Sequence, residues 1–211
     1  MPDRRGRLVA VEGIDGCGKS TQVARLGQAM GALCTFEPGA TELGVALRRL
    51  LLDPGPPHAG PRAETLVLAA DRAQHVADRI VPALERGAWV VTDRYVASTF
   101  AYQGHGRGLP AHELAAVLGF ATSGLCADLT ILIDLPVEEA GRRTAAQRRD
   151  KMEQLGATFQ ERVRAGYLQM ASSDPDGWVV VDGSHHPDVV AADVRRAVVE
   201  RLGPWPAAGA R

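Results

Sequence analysis

Leu8-Val9-Ala10-Val11-Glu12-Gly13-Ile14-Asp15-Gly16-Cys17-Gly18-Lys19-Ser20-Thr21 is the stretch that decides the fold. It opens with a short apolar run, reads through a glycine-rich loop and leads into a helical pattern with Val23, Leu26 and Met30 on one face and Gly31 as its stop. Within it, Gly13 to Ser20 matches G-x-x-x-x-G-K-[ST]. The spacing has a mechanical reason. Glycines let successive backbone N–H groups turn inward around phosphate oxygens, and the helix that follows presents its positive end to the same place. The lysine adds a point charge for the β- and γ-phosphates, and the serine hydroxyl suits Mg²⁺. Gly13, Asp15, Gly16, Cys17, Gly18, Lys19, Ser20 and Thr21 are therefore the expected ATP-binding set, with Cys17 as a small filler.

Working outward, the same alternation continues. Leu33–Phe36, Ala88–Thr92, Leu129–Ile133 and Trp178–Val181 read as further strands. Between them, 20–30, 42–52, 62–86, 96–103, 111–122, 137–143, 159–170 and 189–202 read as helices, with 104–110 as a glycine-rich loop. On 42–52 the apolar face is Leu43, Ala46, Leu47, Leu50 and Leu51. Strands this apolar belong to a parallel sheet covered on both sides. The expected architecture is α/β, a three-layer P-loop NTPase fold: a five-stranded parallel sheet, helices on both faces and a short basic lid. One domain over 1–203 is expected, with the lid at about 142–154 and a loose tail at 204–211. Ligands of such sheets bind beyond the carboxyl ends of the strands, which directs attention to Gly13, Glu37, Asp93, Asp134 and Asp182.

The 211 residues carry 24 Lys plus Arg against 25 Asp plus Glu, so no global field draws nucleic acid or an acidic membrane, and any anion site is local. Three scattered cysteines fit a reducing cytoplasm, not a disulfide framework. The basic stretch Met1–Arg7 is followed by too short an apolar run for a signal peptide, and no run is long enough to span a membrane. Only Lys19 and Lys151 are lysines, and the sequence has no asparagine. Without Asn there is no N-K-x-D guanine motif, so a GTPase is excluded.

Asp93-Arg94-Tyr95 follows a strand, where a carboxylate can hold Mg²⁺ together with Ser20, and an adjacent arginine can bridge two phosphate groups. The basic run Arg142, Arg143, Arg148, Arg149 and Lys151 suits a lid that stabilises the transferring phosphoryl group and excludes water. Its bland alternative is a solvated helix face. The pair His112-Glu113 lacks the second histidine of a zinc site, and His185-His186 face different ways.

At this point the chain resembles the thymidylate kinase family of nucleoside monophosphate kinases. The likeness is carried by Val11-Glu12-Gly13 and the phosphate loop, Glu37-Pro38-Gly39, Leu50-Leu51-Leu52-Asp53, Ala69-Ala70-Asp71-Arg72, Asp93-Arg94-Tyr95, Ser98-Thr99, Ala101-Tyr102-Gln103-Gly104, Gly106-Arg107-Gly108 and Asp150-Lys151-Met152-Glu153. The resemblance implies transfer of phosphate from ATP to dTMP with Mg²⁺, in a cytoplasmic homodimer. It implies catalytic roles for Lys19, Asp15 and Arg94, and for the lid arginines Arg142, Arg148 and Arg149, since a small residue at Gly16 marks members whose catalytic arginine comes from the lid. It places Glu37, Pro38, Leu68, Arg72, Arg94, Ser98, Thr99, Tyr102 and Gln103 around dTMP: Arg72 on a thymine carbonyl, Thr99 near the ring N3, Tyr102 crowding the sugar 2′ position. Asp182-Gly183-Ser184 falls at the adenine side.

Three positions depart from the family pattern. Phe36 stands where many members have arginine, Leu68 where an aromatic usually stacks on the base, and Lys151 where the lid usually has arginine. They keep open a kinase of the same fold acting on another or modified pyrimidine deoxynucleoside monophosphate. A non-catalytic ATP-binding switch is the reading from a different class, opposed by Asp15, Arg94 and the basic run.

Overall fold

The computed structural model describes residues 5–53, 59–145 and 155–205. Arg148, Arg149 and Lys151, and with them most of the expected lid, lie outside the described residues, as does the tail from 206. Five strands, β1 (Leu8–Glu12), β2 (Leu33–Phe36), β3 (Val90–Asp93), β4 (Leu129–Asp134) and β5 (Trp178–Asp182), form one sheet in the order β2-β3-β1-β4-β5. Every neighbouring pair is parallel, with Leu8 opposite Val90 and Val9 opposite Leu129. β1 sits centrally because it is buried along its whole length. Its side chains alternate: Val9 and Val11 enter one core, with Leu26, Ile131 and Tyr167, while Leu8 and Ala10 enter the other, with Ile80, Leu84 and Tyr95. The expectation of strands buried on both faces holds for β1 and fails at the two edges. β2 and β5 each bury only one residue fully, because an edge strand has a neighbour on one side only.

α1 (Lys19–Met30) leaves the phosphate loop and leads to β2 at the edge. The chain then returns through α2 (Glu42–Leu52) and α3 (Pro61–His75) to β3 beside β1. α2 begins at Thr41, whose hydroxyl accepts from the Gly44 N–H at 3.0 Å. Its inward face differs from the periodicity-based expectation. Leu43 and Leu50 are nearly half exposed, whereas Gly44 and Leu51 are buried. The reason is a close approach of α2 to α3: a Cβ on Gly44 would stand 2.5 Å from Asp71 Oδ1. The face turned inward is therefore Gly44, Leu47 and Leu51, at i, i+3 and i+7, while Arg48 stays exposed at the cleft rim.

α3 continues through a π-helical turn (Val76–Ile80) into α4 (Val81–Glu85). The wider turn precedes Pro82, which has no N–H to offer the Asp78 carbonyl, and the Val81 N–H bonds instead to Val76 O. After β3, α5 (Val96–Thr99) runs into a second π-helical segment, Phe100–Gly106. Helical structure thus extends past Gln103 into the stretch expected to be loop, because the Arg107 N–H closes a five-residue turn on Tyr102 O at 2.9 Å. α6 (Ala111–Thr122), α7 (Val137–Thr144), α8 (Ala157–Ser173) and α9 (Pro187–Leu202) complete the cover.

Candidate active site

Two clefts open at the carboxyl ends of β1, β2 and β3. The first is the mouth of the phosphate loop. Gly13 and Gly16 have φ of 143° and 80°, which an L side chain adopts only with strain. The space is closed as well: a Cβ on Gly13 would stand 2.6 Å from the Ile133 carbonyl oxygen, and one on Gly16 2.7 Å from that of Ala140 on α7. Lys19 is buried and donates to the Ile14 carbonyl at 2.9 Å. Gly16, Gly18, Lys19, Ser20 and Thr21 all line the mouth. Cys17 lies behind the loop, 2% exposed, where burial pushes its thiol above the ordinary value despite Lys19 and Arg94 nearby. It fills space as expected. Ser20 Oγ donates to Asp93 Oδ2 at 2.5 Å, which brings together the two oxygen ligands expected for a cation. Among the described residues no cluster of three or more His, Cys, Asp or Glu could cage a metal. The Ser20–Asp93 pair is the kind of set Mg²⁺ uses, one or two protein oxygens with phosphate and water completing the shell.

Of the basic run, Arg142 and Arg143 are described. Arg142 lies on the exposed side of α7, 3.9 Å from Glu138. Arg143 is the one that lines the mouth, donating to the Gly183 carbonyl at 3.0 Å and to Glu139 at 2.6 Å. Helix periodicity explains the difference, since adjacent residues point about 100° apart.

The second cleft is the smaller of the two, about 120 Å3 of cavity volume against about 690 Å3 for the phosphate-loop mouth. Glu37, Pro38, Leu68, Arg72, Arg94, Ser98, Thr99, Tyr102 and Gln103 all line it, so the residues expected around the acceptor converge on one place. Arg48 and Asp71 join them. Arg72 is buried and donates to Glu37 Oε2 at 2.7 Å, Thr99 Oγ1 at 2.9 Å and the Tyr95 carbonyl at 2.9 Å. Gln103 donates to Glu64 at 2.9 Å, and Arg107 braces the same carboxylate at 2.9 Å.

The two clefts share a wall made by Asp15, Glu37, Arg48 and Arg94. Arg94 is its centre. Its φ is 71°, in the left-handed region, which costs on the order of 1–3 kcal/mol for a residue with a side chain. The backbone there is pinned: the Arg94 N–H bonds to Val11 O at 3.0 Å, and Thr92 Oγ1 donates to the Arg94 carbonyl at 2.9 Å. The guanidinium pairs with Asp15, donates to Gly13 O at 3.2 Å, Ser98 Oγ at 3.1 Å and Tyr102 Oη at 3.2 Å, and lies 5.0 Å from the Tyr102 ring centre. Burial would lift the Asp15 carboxyl, but Arg94, Lys19 and the Tyr102 hydroxyl, which donates to Asp15 at 2.9 Å, outweigh it and hold it below the ordinary carboxylate value. Glu12, one turn of the loop earlier, goes the other way: complete burial lifts it, against the bonds it accepts from Ser98, Tyr95 and Tyr167.

The sequence reading did not single out Glu12, Arg48 or His75, and it named Arg143 only as one member of the basic run. A charged residue ending an all-apolar strand was a signal for Glu12. Arg48 was recoverable from its place one turn before Leu51 and Leu52, which line the same cleft.

With this geometry in place, the comparisons with known proteins are decisive. The profile of the family described as "Thymidylate kinase" matches residues 11–194. The chain belongs to the thymidylate kinase family. It is 45% identical over 195 residues to the thymidylate kinase of Desulforudis audaxviator, covering 90% of this chain and 88% of that protein. It is 42% identical to that of Carboxydothermus hydrogenoformans, covering 90% and 96%. A crystal structure of thymidylate kinase from Ehrlichia chaffeensis superposes with a TM-score of 0.75 at 26% identity, covering 92% of this chain and 99% of that one. The family's P-loop NTPase-like sheet is the one expected from the sequence.

Proposed function

We propose that the two clefts divide one reaction between them. The reaction is ATP + dTMP → ADP + dTDP, with this chain as the phosphotransferase. The phosphate-loop mouth takes the ATP tail, and the cleft lined by Arg72, Thr99 and Tyr102 takes dTMP. The observation that carries this assignment is the shared wall: Arg94 and Asp15 face both clefts, so one guanidinium reaches the donor and acceptor phosphates together. Phosphoryl transfer needs little beyond positioning and compensation of charge spread over the transferring group. Lys19 and the inward N–H groups of the loop hold the donor phosphates, Arg94 and Arg48 flank the acceptor phosphate, and Asp15 with Tyr102 fixes Arg94. Arg48 supplies there the cation that Phe36 does not, since Phe36 is 45% exposed and lines only the mouth. Ser20 and Asp93 would hold Mg²⁺, which supplies charge neutralisation at the β- and γ-phosphates when bound. Arg143, and the arginines at 148 and 149 that follow α7, supply the remaining positive charge from the lid side.

Leu68 favours a roomier acceptor site than a stacking aromatic would leave. A competitive panel of dTMP, dUMP, dCMP and 5-substituted analogues tests the assignment. dTMP is expected to give the highest kcat/KM; a tenfold preference for another monophosphate moves the chain to the modified-pyrimidine reading.

The homodimer belongs to the same proposal. Leu66 on α3 is 58% exposed and Phe120 on α6 90% exposed, and these two helices pack against each other. Light scattering of the wild type against Phe120→Asp tests that face, with loss of the dimer expected. No helix among the described residues is long and apolar enough to cross a membrane, and the cytoplasm is the proposed setting.

A further inference from the structure

Beneath the second cleft lies a buried chain of polar side chains that starts at His75 and reaches the cleft wall at Glu37 and Arg72. His75 is 0% exposed. Its Nδ1 lies 2.8 Å from Glu37 Oε1 and its Nε2 2.6 Å from Thr35 Oγ1. The other oxygen of Glu37 accepts from Arg72 Nε at 2.7 Å. A carboxylate only accepts, so Nδ1 carries a hydrogen whichever protonation state the ring adopts. Glu37 is therefore held at both oxygens, by His75 on one side and Arg72 on the other. Arg72 in turn spends two more donors on Thr99 and the Tyr95 carbonyl. Three of its five N–H groups are engaged by described residues, and the other two have no partner among them in the cleft Arg72 lines.

We propose that His75 is a positioning residue for the acceptor site: by clamping Glu37 from behind, it fixes the direction in which Arg72 presents its free N–H groups to the substrate base. The inference rests on the acceptor reading of the second cleft. Without the Nδ1 donor, Glu37 Oε1 is a buried carboxylate oxygen lacking its partner, and the Glu37–Arg72 pair turns to recover one. The effect falls more heavily on the acceptor than on ATP, because Arg72 lines the second cleft alone, whereas Glu37 and Thr35 also border the phosphate-loop mouth.

Two near-isosteres separate positioning from simple core filling. The amide nitrogen of Asn overlays Nδ1 of histidine and keeps the bond to Glu37. The amide of Gln overlays Nε2 and keeps only the bond to Thr35. Steady-state kinetics and dTMP calorimetry are measured on His75→Asn, His75→Gln and His75→Ala, with thermal melts as a check on folding and Arg72→Ala as a control. For His75→Asn, dTMP KM is expected within about threefold of wild type; for His75→Gln and His75→Ala it is expected to rise about tenfold or more, with a clearly smaller rise in ATP KM. The inference is overturned if His75→Asn and His75→Gln behave alike, or if ATP KM moves as far as dTMP KM. If Arg72→Ala raises dTMP KM while the two isosteres match, only the clamp fails. If Arg72→Ala leaves dTMP binding intact, the acceptor reading fails, and the clamp with it.

Discussion

The two clefts of this molecule are built in opposite ways. The centre of the phosphate-loop mouth is one continuous stretch, Gly13 to Thr21, whose own cation is a single lysine, with Arg48, Asp93, Arg94 and Arg143 around its rim. The second cleft is made by side chains drawn from the end of β2, from α2 and α3, and from the α5 segment, joined by hydrogen bonds such as Arg72–Glu37 and Gln103–Glu64 across 35 and 39 residues of sequence. A backbone cradle recognises what all nucleoside triphosphates share. A side-chain network can be specific to one ligand, because each of its residues can be changed independently.

The largest expected effect lies in the cradle. Lys19→Ala removes the loop's own cation and is expected to lower kcat about a thousandfold with an unchanged thermal melt; near-normal turnover would break the assignment of the mouth. Arg94→Ala removes the shared wall. It is expected to lower kcat about a hundredfold and to weaken dTMP as well as ATP, measured as separate KM values; a change confined to one substrate would show that the clefts do not meet at Arg94. Tyr102→Phe deletes the hydroxyl that bonds both Asp15 and Arg94, and a drop of about tenfold in kcat/KM for dTMP is expected. Leu68→Phe is expected to tighten dTMP by about 1 kcal/mol, the lower end of what stacking a base on an aromatic ring contributes, with calorimetry as the readout.

The two carboxylates that flank Gly13 give a pH comparison. Asp15 is held below its ordinary value of 3.8, chiefly because Arg94 and Lys19 override the effect of burial. The stability it contributes is present above that ordinary value and is lost as pH falls through the lowered one. Glu12 is raised by burial, so it has the opposite slope: the folded state gains relative stability as pH falls through the raised value. Asp15→Asn should therefore flatten the acid limb of a urea midpoint-versus-pH curve, whereas Glu12→Gln should steepen it. Equal slopes in both variants would show that the two environments are alike.

The contrast between the clefts also explains what could be read from the chain alone. The cradle is local, so its spacing is visible in one window. The sheet was legible for the same reason, because five short apolar runs needed no knowledge of their neighbours. The second cleft was recovered through family resemblance, since nothing within Pro61–His75 reveals that Arg72 faces Glu37. The inward turn of α2 was missed because Gly44 has no hydrophobicity to report, yet its lack of a side chain lets α2 approach Asp71. The π-helical segment at Phe100–Gly106 was hidden by its glycines, which read as loop while the backbone closed five-residue turns. Burial of His75 was equally silent, for a polar residue on a helix looks the same facing water or facing a carboxylate.

Residue 16 touches both the loop and the Ala140 and Thr144 positions of α7, the helix that runs into the segment holding Arg148 and Arg149. Any larger residue there would wedge the two apart before it could contribute a group of its own. A cation introduced at position 16 would therefore have to displace the Ala140 carbonyl and Thr144, so no single substitution there adds a charged group without rebuilding the seam with α7.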